Sequence, residues 1–115
     1  MESMVVFYAC DDLTETTAFY RDLLGLPVWL DQPGCRIFDA GYGYLGFVER
    51  ERTVEAYQCI SFNLKDRAAV DAQYQRLKDV LSCTQPQLHQ RFPVYSFFVK
   101  DPNGYTVEFQ KITQP

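Results

Sequence analysis

At 115 residues and 47% apolar composition, the chain has the size of one domain with a core of its own. A net charge of -4, with one histidine and no cluster among its 11 basic residues, argues against a binder of nucleic-acid phosphates and is compatible with a cationic ligand. No apolar run approaches the ~18 residues of a membrane span, and the amino-terminal MESMVVFYACDD carries acids where a leader would carry bases. These features describe a cytoplasmic protein without a membrane partner. Cys10, Cys35, Cys59 and Cys83 contain no C-x-x-C pair, so free thiols are expected rather than a zinc site or disulfides.

In chain order, the apolar stretch ending at Cys10 predicts a strand, and Asp12 predicts the cap of a following helix. Glu15 stands three residues further on, the spacing of a capping box. Ala18, Phe19, Leu23 and Leu24 recur at helical spacing to about Leu24, where Gly25 supplies a left-handed stop. Three short strands follow, Pro27 to Asp31, Cys35 to Asp39 and Tyr44 to Glu49. Glu49, Arg50, Glu51, Arg52 and Glu55 mix their signs and predict a solvated linker.

The same pattern then begins again. Residues 4–24 lie over residues 58–78 at a constant offset of 54, matching Val5 to Cys59, Asp12 to Asp66, Tyr20 to Tyr74 and Leu23 to Leu77. The second helix carries Val70, Tyr74, Leu77 and Leu81, and its strands are expected at Cys83 to Gln87, Val94 to Lys100 and Tyr105 to Lys111. YLGFVE at 44–49 lies over TVEFQK at 106–111 with an offset of 62, which matches Gly46 to Glu108; the eight extra residues fall in a loop from about Gln85 to Pro93. The expected fold class is α+β, two tandem βαβββ modules at about 1–54 and 55–115.

The segment DPNGYTVEFQ at 101–110 reads as a tight turn entering a strand. Tyr105, Val107 and Phe109 share one face of it, and Thr106, Glu108 and Gln110 the other. If the polar face meets bulk water, Glu108 is surface; if the sheet bounds a cleft, Glu108 points into it.

The duplicated module, AFYRDLLGLPV at 18–28 and DPNGYTVEFQ together resemble the vicinal oxygen chelate superfamily of glyoxalase I, extradiol dioxygenases, and fosfomycin and bleomycin resistance proteins. The resemblance implies mixed sheets curled around a cleft, commonly in a homodimer, with a divalent metal held by the first and last strands of each module. By register those four places are Val5, Gly46, Cys59 and Glu108, and only Glu108 is the ligand type the resemblance implies. Moving by two residues to Phe7, Tyr44 or Val48 supplies no donor, and Glu49 has the opposite parity to Gly46. The usual metal site is therefore read as degenerate, with no cofactor expected.

Strand parity proposes Phe7, Tyr44, Val48, Ser61, Asn63 and Gln110 as ligand-binding candidates beside Cys59 and Glu108, and Trp29 can join them. Glu108 is the one catalytic candidate, as a general base or a contact to a ligand cation or hydroxyl. Cys59 is read as a small buried residue before a nucleophile, and His89 as a solvent-exposed loop residue. The favoured expectation is a homodimer binding a small aromatic or cationic organic molecule. The alternatives are a metal-dependent lyase or dioxygenase of glyoxalase type with an atypical site, recruiting His89 or a partner chain's residues, and a metal-free enzyme using Glu108 as base.

Overall fold

A strand, a helix and three strands occur twice in the computed structural model, which describes residues 1–55 and 57–113. The chain divides into two compact units, Met1–Thr53 and Val54–Pro115. In the first, β1 (Val5–Cys10), β2 (Val28–Gln32), β3 (Cys35–Asp39) and β4 (Tyr44–Glu49) form a sheet in the order β1-β4-β3-β2. In the second, β5 (Cys59–Asn63), β6 (Gln87–Leu88), β7 (Val94–Lys100) and β8 (Thr106–Ile112) repeat it as β5-β8-β7-β6. First and last strands of each module run parallel, and the other pairs are antiparallel. The parallel pair requires a crossover, which the helix provides. The fold is α+β, two tandem βαβββ modules.

The pairing reproduces the internal repeat. Phe7 lies opposite Gly46 in the first sheet and Ser61 opposite Glu108 in the second, so the offsets of 54 and 62 select equivalent places. Each module sets a helix-borne tyrosine against its sheet, fully buried in the first and half-buried in the second. Tyr20 is fully buried with its ring centroid 4.8 Å from that of Phe47, while Tyr74 meets Phe97 edge-on at 5.5 Å and Phe97 stacks on Phe109 at 5.2 Å. Truncating one such buried ring typically costs about 3–5 kcal/mol.

The first helix departs from the expected single α-helix. α1 spans Leu13–Thr17, and the chain continues through Ala18–Leu23 with π-type hydrogen bonding, ending with Leu24 N–H on Phe19 carbonyl at 2.9 Å. The wider turn advances each residue by a smaller angle, which allows the consecutive rings of Phe19 and Tyr20 both to face inward while Ala18 is exposed. Gly25 then takes φ +82°, and Leu26 N–H closes on the Tyr20 carbonyl. α2 (Arg67–Leu77) buries Val70 and Leu77; Leu81 lies beyond its end.

Two further expectations are corrected. A strand over Cys83 to Gln87 reduces to Gln87–Leu88, because Pro86 has no N–H for a ladder and Thr84 makes a local bridge instead, donating its N–H to Phe98 carbonyl while its hydroxyl accepts Phe98 N–H. Nor is residue 49 part of a solvated linker. Glu49 ends β4 and its carboxylate accepts Leu13 N–H at 3.1 Å, while Asp12 accepts Thr14 N–H at 2.7 Å, so two acids satisfy the first amides of α1. Arg52 is also engaged, as the ion-pair partner of Asp11. All four cysteines are free, and no helix among the described residues is long and apolar enough to cross a membrane.

Glu49→Ala should cost about 1 kcal/mol through loss of the cap. The midpoint of denaturant unfolding measures it; an unchanged midpoint would show that water replaces the carboxylate without loss.

Candidate functional site

The turn before β8 is held by one buried acid. Asp101, 5% exposed, accepts Asn103 N–H at 2.8 Å and Tyr105 N–H at 2.9 Å through the same oxygen, while its carbonyl accepts Gly104 N–H at 3.0 Å. Gly104 sits at φ +89°, a backbone state that glycine enters without strain. The turn thereby sets the phase of β8. Val107 and Phe109 go into the core with α2, and Glu108 goes to the opposite face.

On that face Glu108 is 8% exposed rather than bathed in solvent. Ser61, directly across on β5, donates its hydroxyl to Oε1 at 2.6 Å, and the Cys59 sulfur lies 4.0 Å from the same oxygen and 3.4 Å from the Ser61 hydroxyl. Oε2 stands 3.9 Å from His89 Nε2, an ion pair when the imidazole is protonated. His89 Nε2 also lies 2.8 Å from Ser96 Oγ, and its ring meets Phe98 edge-on at 5.7 Å. Both polar contacts of His89 use one nitrogen, so serine, histidine and glutamate do not form the two-ended relay of a hydrolytic triad. Gln110 donates its amide to Asn63 at 2.9 Å, extending the polar row along the strand.

A concavity of about 520 Å³ opens over this row, within the second module. Phe92, Pro93, Val94, Phe98 and Ile112 supply an apolar wall, with Glu108, His89, Cys59 and Gln110 as the polar contributions. Few convergent polar groups in an apolar wall are what an organic ligand needs for orientation and area. Cys59 is exposed as a residue, which corrects the expectation of a small buried one, because it opens the first strand of its module beside the concavity. Desolvation by the protein around its sulfur still pushes the thiol up; the Ser61 hydrogen bond opposes this, the Glu108 carboxylate adds to it, and Lys100 offsets a little. The raised thiol stays protonated at neutral pH and is a poor nucleophile.

The equivalent place in the first module is built differently. A Cβ added to Gly46 would lie 2.6 Å from the Phe7 ring and 3.3 Å from the Val5 side chain. The ring occupies the space a larger residue would fill. Tyr44 and Val48 share this open face with Val5, Phe7 and Gly46. A divalent metal of the kind implied by the family resemblance does not fit these residues: Val5 and Gly46 have no donor, and the Glu108 oxygen nearest Cys59 is engaged by Ser61. Among the described residues no group of three or more His, Cys, Asp or Glu side chains could hold a metal ion.

Of the candidates, Cys59, Glu108 and Gln110 line the concavity, Ser61 and Asn63 hydrogen-bond to Glu108 and Gln110 without lining it, and Phe7, Tyr44 and Val48 lie on the sheet face of the other module. His89 corrects the expectation of a solvent-exposed loop residue, because β6 returns the loop to the sheet and His89 N–H bonds Val94 carbonyl at 3.0 Å. Ser96 and Phe98 were not among the candidates, although they pair with Gln110 and Glu108 and so share their face. Alternation along β7 carries that signal. Phe92 and Pro93, in the loop, had none.

The family model described as Glyoxalase/Bleomycin resistance protein/Dioxygenase superfamily matches residues 4–109. Among solved structures, the chain is similar to a lactoylglutathione lyase from Agrobacterium tumefaciens, at 26% identity over 94% of this chain and 91% of that one, with a TM-score of 0.80. An integron cassette protein from the mobile metagenome of the Halifax Harbour sewage outfall shares 19% identity over 95% and 97% of the two chains, at 0.81. The fosfomycin resistance protein FosX from Mesorhizobium loti shares 18% over 96% and 90%, at 0.72. No curated protein matches the chain.

Removing the Glu108 charge removes one cause of the raised Cys59 thiol, so Glu108→Gln should speed alkylation of Cys59 severalfold just above neutral pH, read by peptide mass mapping. An unchanged rate would show that the carboxylate does not act on the sulfur. Gly46→Ala should cost about 1–3 kcal/mol in wild-type protein and far less in Phe7→Ala, a coupling that a double-mutant cycle measures directly.

Proposed function

The chain belongs to the glyoxalase/bleomycin resistance protein/dioxygenase superfamily, and from that premise we propose that it binds a small organic molecule, aromatic or cationic, without a catalytic metal. The binding place in this reading is the concavity of the second module. The observation that carries it is the Glu108 carboxylate, 8% exposed at the base of an apolar wall, with Oε1 taken by Ser61 and Oε2 on the His89 side. A carboxylate in low-dielectric surroundings makes a strong, directional contact with a ligand N–H, and a cationic nitrogen gains most.

Each polar side chain has a place in this scheme. Ser61 fixes the rotation of the carboxyl group, Ser96 holds His89 against Phe98, and the aromatic wall takes the apolar body of the ligand. Burial of apolar area contributes about 25 cal/mol per Å², so the wall supplies affinity and Glu108 supplies selection. We propose a homodimer in the cytoplasm as the working assembly, following the habit of the family.

The alternative, a metal-dependent lyase or dioxygenase of glyoxalase type, takes support from the likeness to a protein named as a lactoylglutathione lyase. It needs donors that Val5 and Gly46 lack, and binding is therefore preferred. Glu108 is the residue on which a metal-free proton-transfer reading would rest.

A chemically diverse panel of amines, neutral aromatics and acids should yield binders by calorimetry with metal-free protein. Glu108→Gln should weaken a cationic binder at least about tenfold, or 1.4 kcal/mol. Added Ni, Zn, Mn or Fe(II) should leave the affinity unchanged. One tightly held ion per chain that disappears in Glu108→Gln would transfer the case to the enzyme; a panel with no binder would remove the binding reading.

A further inference from the structure

The register of the second sheet sets the side chains of its open face in cross-strand rows. Cys59, Thr106 and Lys100 share one row, Ser61, Glu108 and Phe98 the next, and Asn63, Gln110 and Ser96 the one after. The concavity touches Cys59 on the first, Glu108 and Phe98 on the second and Gln110 on the third. Lys100 therefore stands just outside that lining and one row from the carboxylate, a step of about 7 Å along the strand.

Lys100 ends β7, and the turn held by Asp101 begins immediately after it. Its ammonium donates to the Thr106 hydroxyl at 2.6 Å, which aims it across the row. Its charge is felt at the Cys59 sulfur, where it works against desolvation and the Glu108 carboxylate. Among the described residues no acid forms an ion pair with Lys100. Each of the two charges is held by a hydroxyl, Glu108 by Ser61 and Lys100 by Thr106, and neither neutralises the other. A negative and a positive charge kept one row apart are complementary to a molecule that carries both signs in reverse. One ammonium is a point charge without the fork that a phosphate favours, so a carboxylate is its match.

We propose that the ligand of this site is zwitterionic, with a cationic nitrogen on Glu108, a carboxylate on Lys100 and its apolar body against Phe98. The proposal rests on the reading of the concavity as a binding site and adds the second charge. Two other cations lie nearby. Lys111 has the opposite parity on β8, the parity of the buried Val107 and Phe109, and Arg91 lies over the Phe92 ring at 5.3 Å.

The probe is 4-(aminomethyl)benzoate, with its methyl ester as the same body and amine without the negative charge. Calorimetry at low ionic strength should show the zwitterion bound about fivefold tighter than the ester, an advantage that high salt removes. Lys100→Met should bring the two affinities together, Lys100→Arg should keep them apart, and Lys111→Met should bind both like wild type. Equal binding of the two probes by wild-type protein, or an advantage that survives Lys100→Met and falls in Arg91→Met, would overturn the proposal and leave the concavity a site for simple cations. Ester binding that ignores Glu108→Gln, or no binding of either probe, would overturn the underlying reading and the proposal with it.

Discussion

Parallel pairing between the first and last strand of each module is the constraint on which the rest depends. Two strands that run the same way cannot be joined by a hairpin, so each module must send its chain through a helix before the sheet can close. That helix shields one face of the sheet and leaves the other available. Side-chain alternation then sorts the residues: Leu45, Phe47, Val107 and Phe109 go to the core, while Phe7, Gly46, Ser61 and Glu108 go to the free face. Register decides which of them meet.

The two modules show what the same register does with different residues. In the second, a serine hydroxyl meets a carboxylate and a polar row forms. In the first, a phenylalanine ring meets a glycine and the row is aromatic. Among the described residues neither arrangement gathers the three or more donors a divalent ion requires. Duplication preserved the scaffold while the chemistry on its two faces diverged.

Much of the scaffold was readable along the chain because it rests on short-range patterns. Capping aspartates at Asp12 and Asp66, the stop at Gly25 and the alternation through Glu108 each follow from local geometry. Elements governed by distant partners were not readable. The helical residues Ala18–Leu23 widen because Phe19 and Tyr20 both find a core, and no spacing in the sequence reveals it. His89 enters the site because a two-residue strand pairs with β7, and Ser96 because it is phased by Gln110 across the ladder. The site's membership therefore depends on pairings between strands, which a single strand does not display.

The start of the first helix bears on how the module comes apart. Its α-helical segment is five residues long, too short to persist alone, and one of its two capping acids arrives from 36 residues downstream. Until β4 is in place, the Leu13 amide lacks that partner and the helix lacks the sheet it packs on. Helix and last strand should therefore open as one cooperative unit, their amides exchanging with solvent at a shared free energy rather than fraying from the helix end.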